Sequence, residues 1–362
     1  MASRHGGRRR LVRLTEAASQ TYARHETFHP RYGWFRKAYA FASLDPHVFM
    51  YDDAPVIVGV GKNMVRAIRF WGTAAKVITK DPSTNSRKAG VVPTGIGYSF
   101  FDPEQGWDPY MEDPGTLWIL HWLLLAPTSH LPIWWLAFND FHAVEFDDDI
   151  LLAAVGAGLE GTSEWNTPHD SSIKKDVGAL LRTYAPAERK PRAGLDDVLD
   201  CPLRELRLID RSRATGNYRF NIGKKPSLPP AVATFCVLDY LMRRGVTGNT
   251  VTLAQLASES GGPGRILKLT ESNIHSLLES GVESTRGLAL LSPNGAHQLS
   301  WSRPLSVVAK DVLNNYYDHT PLHATVGPEG DRPLAPDLLP DRSQAMLRIE
   351  AVASNSSIGV PA

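Results

Sequence analysis

Apolar residues recur at helical spacing between Asn63 and Thr79, and this segment constrains the fold more than any other part of the chain. Offsets of 0, 3, 4, 7, 11 and 14 residues relate its apolar positions, which are Met64, Ala67, Ile68, Trp71, Ala75 and Ile78. This spacing predicts an amphipathic helix with one face in a core. The other face is predicted to carry the basic side chains, which are Lys62, Arg66, Arg69 and Lys76.

The segments around this helix predict a DNA-binding unit. Residues 33–42 have apolar residues at helical spacing, and Gly59 and Gly61 form a tight turn before the basic helix. The N-terminal amides of that helix can meet a backbone phosphate. Residues 91–101 then place Gly95 and Gly97 between short β-prone runs, which predicts a hairpin. Helix, turn, basic helix and hairpin follow one another in a winged helix-turn-helix.

The same order recurs more loosely along the rest of the chain. Helices are predicted at residues 146–160 and 171–184, with a cap at Ser171 or Ser172, and at residues 231–243, 253–258 and 270–280, with a hairpin at 287–301. The predicted fold is mainly α with small β-hairpins, an α+β class built of tandem winged helix-turn-helix-like units. Its predicted parts are a flexible basic arm (residues 1–20), an N-terminal winged-helix-like DNA-binding domain (21–125), a second, helical or winged-helix-like unit (126–230), a C-terminal winged-helix-like unit (231–320) and a proline-rich, weakly structured tail (321–362).

Composition excludes several other classes of protein. The most apolar stretch, Leu117–Phe138, is broken by Pro127 and Pro132, so neither part reaches the ~20 residues of a membrane span. Cys201 and Cys236 form no CxxC pair, which argues against a disulfide framework and a cysteine-built zinc site. No apolar segment of a secretory signal follows the basic N-terminus. We therefore expect a cytoplasmic protein with no membrane partner.

The net charge of the chain is only +1, but its basic residues are clustered. Residues 62–88 hold seven basic residues against Asp81 alone, a local charge of +6. Clustered cations neutralise DNA phosphates, and asparagine and arginine side chains can read base edges. A solvated helix face is the alternative interpretation. We predict a surface for double-stranded DNA that includes Lys62, Asn63, Arg66, Arg69, Lys174, Lys175 and Arg182.

Two short segments partly match the sequence motifs of zinc sites and nucleotide-binding sites, but the residues around them do not fit those sites. Residues 25–29 match the H-E-x-x-H pattern of zinc peptidases, but Pro30 disfavours helical backbone at the second histidine. Gly61 and Lys62 match part of a phosphate-binding loop, but two required residues of that motif are missing. Val56 stands where the motif has its first glycine, and Asn63 stands where it has Ser or Thr. We therefore expect neither zinc nor a nucleotide cofactor.

Carboxylates are concentrated just before the apolar helix predicted from Thr116. Asp108, Glu112 and Asp113 lie within six residues of one another. Clustered carboxylates can hold Mg²⁺ or Mn²⁺, which activates water for phosphodiester hydrolysis. The alternative is a helix N-terminus, where acidic residues offset the macrodipole and Pro114 occupies the first turn.

Several longer segments together resemble a bacterial family associated with DNA phosphorothioation, the SspB type, over about residues 21–320. The segments are 25–28, 31–34, 59–66, 68–72, 106–110, 112–114, 117–118, 137–139, 175–177, 182–184 and 201–203. The resemblance implies a DNA-nicking component of a phage-defence system. It also implies work alongside a cysteine desulfurase and ATP-using proteins that place sulfur in the DNA backbone.

Resemblance and residue chemistry together predict a metal-dependent DNA nicking endonuclease. Its catalytic candidates are His25, Glu26, Asp108, Glu112 and Asp113. His25 and Glu26 are candidate general bases, and Asp108, Glu112 and Asp113 are also the candidate metal ligands. A non-catalytic DNA-binding scaffold that recruits the sulfur-transfer enzymes is one alternative. A transcriptional regulator of the same gene cluster is another.

Overall fold

The computed structural model describes residues 13–83, 89–186 and 201–339, and it is mainly helical. Its α-helices in these ranges are α1 (Leu14–Ala17), α2 (Trp34–Leu44), α3 (Ala54–Val58), α4 (Lys62–Ala74), α5 (Gly95–Phe101), α6 (Pro114–Leu125), α7 (Pro132–Asn139), α8 (Asp148–Glu160), α9 (Asp170–Tyr184), α10 (Pro230–Arg244), α11 (Leu253–Ser258), α12 (Pro263–Ile266), α13 (Glu271–Glu283), α14 (Leu305–Tyr316) and α15 (Gly327–Gly330). The strands are β1 (Ile78–Lys80), β2 (Val91–Pro93), β3 (Ile209–Arg211), β4 (Tyr218–Phe220), β5 (Thr250–Thr252), β6 (Leu288–Leu291) and β7 (Gln298–Trp301).

The strands of the described ranges form three small antiparallel sheets. β1 pairs with β2, with Ile78 opposite Pro93, and β3 pairs with β4, with Ile209 opposite Phe220. The third sheet has the order β5-β7-β6. These sheets between helices confirm the prediction of a mainly helical α+β fold. The division into tandem winged-helix units and the domain boundaries stay predictions.

The stretch that is most apolar in sequence lies at the centre of the molecule. It forms α6 and α7, whose four tryptophans are buried in one hydrophobic cluster that also holds residues of α1, α4, α10 and α14. The four side chains are Trp118, Trp122, Trp134 and Trp135. Among the helices of the described ranges, none is long and apolar enough to cross a membrane.

Helical periodicity locates the later helices well. α8 and α9 lie where the first pair is predicted, and α11 has the predicted bounds of 253–258. The predicted cap of α9 is wrong, because His169 precedes the helix and its Nδ1 accepts a hydrogen bond from the Ser171 amide at 3.2 Å.

The hairpin predicted over residues 91–101 lies earlier in the chain. β1 and β2 form it, and residues 95–101 form α5 instead of a strand. The Thr94 hydroxyl caps α5 by accepting a hydrogen bond from the Gly97 amide at 2.9 Å. A Cβ on Gly97 would lie 2.1 Å from the carbonyl oxygen of Val77. The glycine therefore permits close packing of α5 against the chain that follows α4. The short β-prone run at residues 95–101 forms a helix here and not the predicted strand.

Parts of the predicted arm and tail pack against the core. Leu14 and Ala17 are buried in α1, and the Ser19 amide donates to the Ser129 carbonyl at 2.8 Å. At the other end, Val326 and Leu334 are buried. These residues therefore belong to the packed body, although they lie in the predicted arm and tail, because their apolar side chains pack against residues that are distant in sequence. Residues 1–12 and 340–362 lie outside the described residues.

A buried polar network joins α6 to the C-terminal part of the chain. The carboxylate of Asp239 accepts from Trp122 Nε1 and from Arg243 Nε, both at 2.6 Å. Arg243 also donates to Asp331 Oδ1 at 3.0 Å. Breaking such a buried pair leaves an uncompensated charge, so this network ties α10 and the segment after α15 to the central helices.

Candidate nucleic-acid interface

The side chain of His25 anchors the loop that precedes α2. It is buried, and its Nε2 lies 2.6 Å from Asp176 Oδ1 on α9. The Ala23 amide donates to the same carboxylate at 3.0 Å. The imidazole stacks on Trp71 with ring centroids 6.1 Å apart. In this position His25 fastens the loop between α4 and α9 and has no surface for a substrate.

The H-E-x-x-H match lies in a turn. Glu26 and Thr27 have φ values of 51° and 66°, in the left-handed region, and the Phe28 amide donates to the His25 carbonyl at 2.9 Å. His25 and His29 therefore do not share a helix face, as expected from the proline that follows.

The same turn lies between two basic helices. The Glu26 carboxylate is 3.5 Å from Nη1 of Arg66 on α4. The Thr27 carbonyl accepts a hydrogen bond from Nη2 of Arg182 on α9 at 2.8 Å. Two arginines that are 116 residues apart in sequence therefore flank one exposed turn.

Further arginines surround His29 beside this turn. Burial lowers the pKa of His29 to about 3, and the positive charges of Arg204, Arg31 and Arg182 act in the same direction. The Nε of Arg204 donates to the Arg182 carbonyl at 2.8 Å. We call this surface the arginine strip, and its members are Arg31, Arg66, Arg182 and Arg204. Burial and the charge of Arg204 also lower the pKa of Arg182, so an anion placed here would relieve repulsion between the guanidinium groups.

Most of the predicted DNA-binding residues lie on the exposed faces of α4 and α9. Lys62, Asn63 and Arg66 are exposed on α4, and no side chain caps its N-terminus at Gly61. Arg69 is engaged locally, because its Nη2 donates to the Ala89 carbonyl at 3.1 Å. On α9 the exposed basic side chains are Lys174, Lys175 and Arg182.

Lys76 does not belong to the basic face, and that part of the prediction is wrong. Its side chain is buried, and Nζ donates to the carbonyls of Leu123 and Ala126 at 2.7 and 2.9 Å. Burial lowers the pKa of Lys76 to about 8. It therefore satisfies the C-terminal carbonyls of α6 from within the core. Arg87 and Lys88, also counted in the basic segment, lie outside the described residues.

The carboxylate of Asp108 holds the turn before α6. It accepts hydrogen bonds from the amides of Glu112 and Asp113, each at 3.0 Å, and from the Thr116 hydroxyl at 2.6 Å. Because both oxygens are engaged inside the protein, a metal ion would have to replace these bonds.

Asp113 is the N-cap of α6, and Glu112 is exposed. Asp113 Oδ1 accepts from the Gly115 amide and from the Tyr316 hydroxyl, both at 2.6 Å. In the described parts of the chain, no group of three or more His, Cys, Asp or Glu side chains is placed to hold a metal ion. The geometry of Asp108, Glu112 and Asp113 thus fits helix capping and does not fit a ready metal site. Their role in metal binding stays a prediction.

The predicted catalytic residues divide into two groups with different neighbours. His25 and Glu26 contact residues of α4 and α9, whereas Asp108 and Asp113 contact α6 and the end of α14. Sequence patterns missed Arg31 and Arg204, which no helical periodicity links to the basic helices. Glu26 is the one predicted catalytic residue whose side chain contacts the arginine strip among the described contacts.

The comparison with known proteins assigns a family to the chain. A family model described as "Protein of unknown function (DUF4007)" matches residues 22–317. The chain belongs to the DUF4007 family. An SspB crystal structure and a magnesium ion-bound SspB crystal structure each share 36% sequence identity with this DUF4007 protein and a TM-score of 0.78. Each match covers 94% of this chain and 97% of the SspB chain, which confirms the SspB-type resemblance. No curated protein matches.

The DUF4007 match includes the whole arginine strip and both predicted catalytic groups. It begins within the anchored loop, three residues before His25, and it ends at Tyr317, whose hydroxyl lies 2.8 Å from Thr116 Oγ1. The candidate interface is therefore built from the region of this DUF4007 protein that defines the family.

Proposed function

We propose that this protein binds double-stranded DNA through the arginine strip, as a component of a phosphorothioate-modification and phage-defence system. The observation that carries the proposal is the turn at Glu26 and Thr27, which gathers arginines of α4 and α9 on one surface. Arginine side chains in such a cluster offer several hydrogen-bond donors to phosphate oxygens. Membership of a phosphorothioation system rests on the similarity to the SspB structures.

The elements around the strip follow one another in the order of a winged helix-turn-helix. α3, the turn at residues 59–61 and α4 have the order of a helix-turn-helix, and β1 and β2 follow as a hairpin. In such an arrangement α4 enters the major groove, where Asn63 reads base edges and Lys62 and Arg66 contact phosphate. Lys174 and Lys175 on α9 would contact the backbone beside it.

We further propose that the protein nicks one strand of the bound duplex in the presence of Mg²⁺ or Mn²⁺, so that partner enzymes insert sulfur at the cut. Its similarity to a magnesium ion-bound SspB structure supports a role for the cation. Glu26 is the best-placed acidic residue, because its partly exposed carboxylate contacts Arg66 in the strip. A carboxylate at that position can accept a proton from the attacking water.

The test of nicking is the conversion of supercoiled plasmid to open circles. We expect conversion with Mg²⁺ and none with excess EDTA. Glu26→Gln should slow nicking by about 100-fold, within the range for loss of a general base, while DNA affinity stays at least as high. Wild-type nicking by Glu26→Gln would contradict the role of this carboxylate.

A second substitution tests the metal assignment separately. Glu112 is exposed, so Glu112→Gln leaves the capping bonds of Asp108 and Asp113 in place. If Glu112 helps to hold the cation, the variant needs more Mg²⁺ for half-maximal nicking. An unchanged Mg²⁺ requirement would show that the assignment of Glu112 as a metal ligand is wrong, with nicking itself unaffected.

The hydrogen bonding of Asp108 and Asp113 favours one other function. Because these carboxylates serve the fold, the protein could act as a non-catalytic scaffold that binds DNA and recruits a cysteine desulfurase and ATP-using proteins. The scaffold predicts tight, salt-sensitive binding without open circles under any metal. The plasmid assay therefore separates the two functions.

A further inference from the structure

The hairpin formed by β3 and β4 is a second basic element of the surface. Arg213 lies beside its turn and Arg219 lies on β4, and both are exposed. Asp210 is the acidic residue of the hairpin, and its Oδ2 is 3.5 Å from Arg219 Nη2. Arg207 precedes β3, so four arginines lie in or next to the hairpin. Besides Asp210, Glu145 lies against the hairpin turn, where its Oε1 accepts a hydrogen bond from the Thr215 hydroxyl at 2.9 Å.

The hairpin is held rigidly against the helical body. Phe146 and Tyr218 exchange two backbone hydrogen bonds, at 2.9 and 2.7 Å. Phe220 packs on Phe138 with ring centroids 5.1 Å apart. The guanidinium of Arg211 lies 5.1 Å from the ring centroid of Tyr218, and its Nε donates to the Gly216 carbonyl at 2.9 Å. A ligand would therefore meet a hairpin whose backbone is already ordered, which reduces the entropy cost of binding.

The hairpin continues the arginine strip. Arg204 of the strip lies in the 3₁₀ turn Pro202–Leu206, which leads directly into β3. Asp148, at the start of α8, lies within electrostatic reach of both Arg211 and Arg182. Burial raises the pKa of Asp148, and these two cations oppose that rise. Asp147 and Asp149 also act on Asp148, so an acidic cluster lies within reach of both a hairpin arginine and an α9 arginine, which places the hairpin beside the α9 end of the arginine strip.

We propose that the β3–β4 hairpin is a phosphate-binding wing, in which Arg213 and Arg219 contact the backbone of the same duplex that the arginine strip binds. This inference rests on the proposed function and extends it to a second contact region. Arginines on two neighbouring elements suit the repeated phosphates of one duplex better than a single compact acidic ligand. Such contacts add affinity and fix register without reading sequence.

The test measures DNA affinity and its salt dependence for R213Q/R219Q. Each phosphate contact contributes about 0.9 to the slope of log K against log salt, so the slope should decrease by about 2. Affinity at 0.1 M salt should decrease by roughly 60-fold, equally for unrelated duplex sequences. R303Q/R332Q is the matched control, because it removes the same number of positive charges, from two ion-paired arginines that lie outside the strip and the hairpin.

Each outcome decides the inference. A reduced slope in R213Q/R219Q, with wild-type behaviour of the control and an unchanged melting temperature, supports the wing. An unchanged slope in R213Q/R219Q, while R66Q/R182Q weakens binding, overturns the wing and leaves the proposed function standing. It would then point to a protein partner for the hairpin. Equal weakening by the control overturns the wing as well, and a wild-type protein that binds no duplex overturns both proposals.

Discussion

Duplex DNA is expected to bind R66Q/R182Q about 60-fold more weakly than the wild-type protein at 0.1 M salt. Each arginine is taken to neutralise one phosphate, which corresponds to about 0.9 in the salt slope and about eightfold in affinity at this salt concentration. Arg66 contacts Glu26 and Arg182 contacts the adjacent Thr27, so their loss removes positive charge from both sides of this turn in the arginine strip. Binding isotherms of a fluorescent duplex at several salt concentrations measure both quantities.

The control for this variant is again R303Q/R332Q, with thermal unfolding recorded for every protein. Arg66 is 55% exposed, and its ion pair with Glu26 is a surface pair worth at most about 1 kcal/mol, so stability should change little. The expected pattern is weak binding and a shallow salt slope in R66Q/R182Q alone. Equal loss in both double variants would mean that net charge, and not the strip, determines DNA affinity.

Acid is expected to destabilise the protein strongly below pH 6.5, because several histidines are buried in their neutral form. Burial lowers the pKa of His121 to about 4, and the charge of Lys268 acts in the same direction. Burial also lowers the pKa of His130 to about 4 and that of His29 to about 3. In the unfolded chain these groups titrate near pH 6.5.

The direction of this pH dependence of stability follows from proton uptake by the unfolded chain. Between pH 6.5 and about 4 the unfolded chain binds protons at these histidines and the folded chain does not, so acid favours unfolding. The stabilisation is complete above pH 6.5 and is lost as the pH falls toward 4. For His121 alone the loss is about 3 kcal/mol. Urea unfolding at pH 7 and pH 4.5 measures the total.

His121→Gln assigns part of this loss to one group. In the wild-type protein His121 Nδ1 lies 2.8 Å from the Tyr184 hydroxyl, and Nε2 lies 3.0 Å from the Ile266 carbonyl. The variant should be less stable at pH 7 but should lose less stability on acidification. His47→Gln, at a partly exposed site, serves as the control. Identical pH dependence in all three proteins would contradict this account of His121.

Local periodicity was sufficient to predict much of the helical framework. The apolar stripe of α4 and the paired helices α8 and α9 follow directly from 3.6-residue spacing, because each buries one face in the common core. The alternative interpretation of the acidic residues before α6, a helix N-terminus, agrees with the structure at Asp113, which accepts a hydrogen bond from the first turn of that helix. Asp147 caps α8 in the same way.

What the sequence could not predict depends on partners far along the chain. His25 and Asp176 are 151 residues apart, and no spacing rule joins them. Lys76 has the helical phase of an exposed cation, yet its Nζ donates hydrogen bonds to three carbonyls at or just after the end of α6. Arg204 follows a proline in a short 3₁₀ turn, so its place beside Arg182 emerges only from tertiary packing.

The basic hairpin has a local signal in the sequence. Thr215, Gly216 and Asn217 form a turn signal between runs that contain Arg211 and Arg219. The two strands are only three residues each, and a short antiparallel pair depends on packing against the body for stability. The pairing of Phe146 with Tyr218 supplies that packing, and it is not evident from the hairpin's own sequence.

The most direct test of the central claim, that DNA lies on the arginine strip, is site-specific crosslinking to duplex. Both native cysteines, Cys201 and Cys236, are buried, so a photoreactive thiol reagent should label an introduced exposed cysteine selectively. Thr27→Cys places the label between Arg66 and Arg182, and Ser306→Cys places it on the exposed face of α14. We predict crosslinks to DNA from position 27 and none from position 306. Crosslinks from position 306 without any from position 27 would contradict the account.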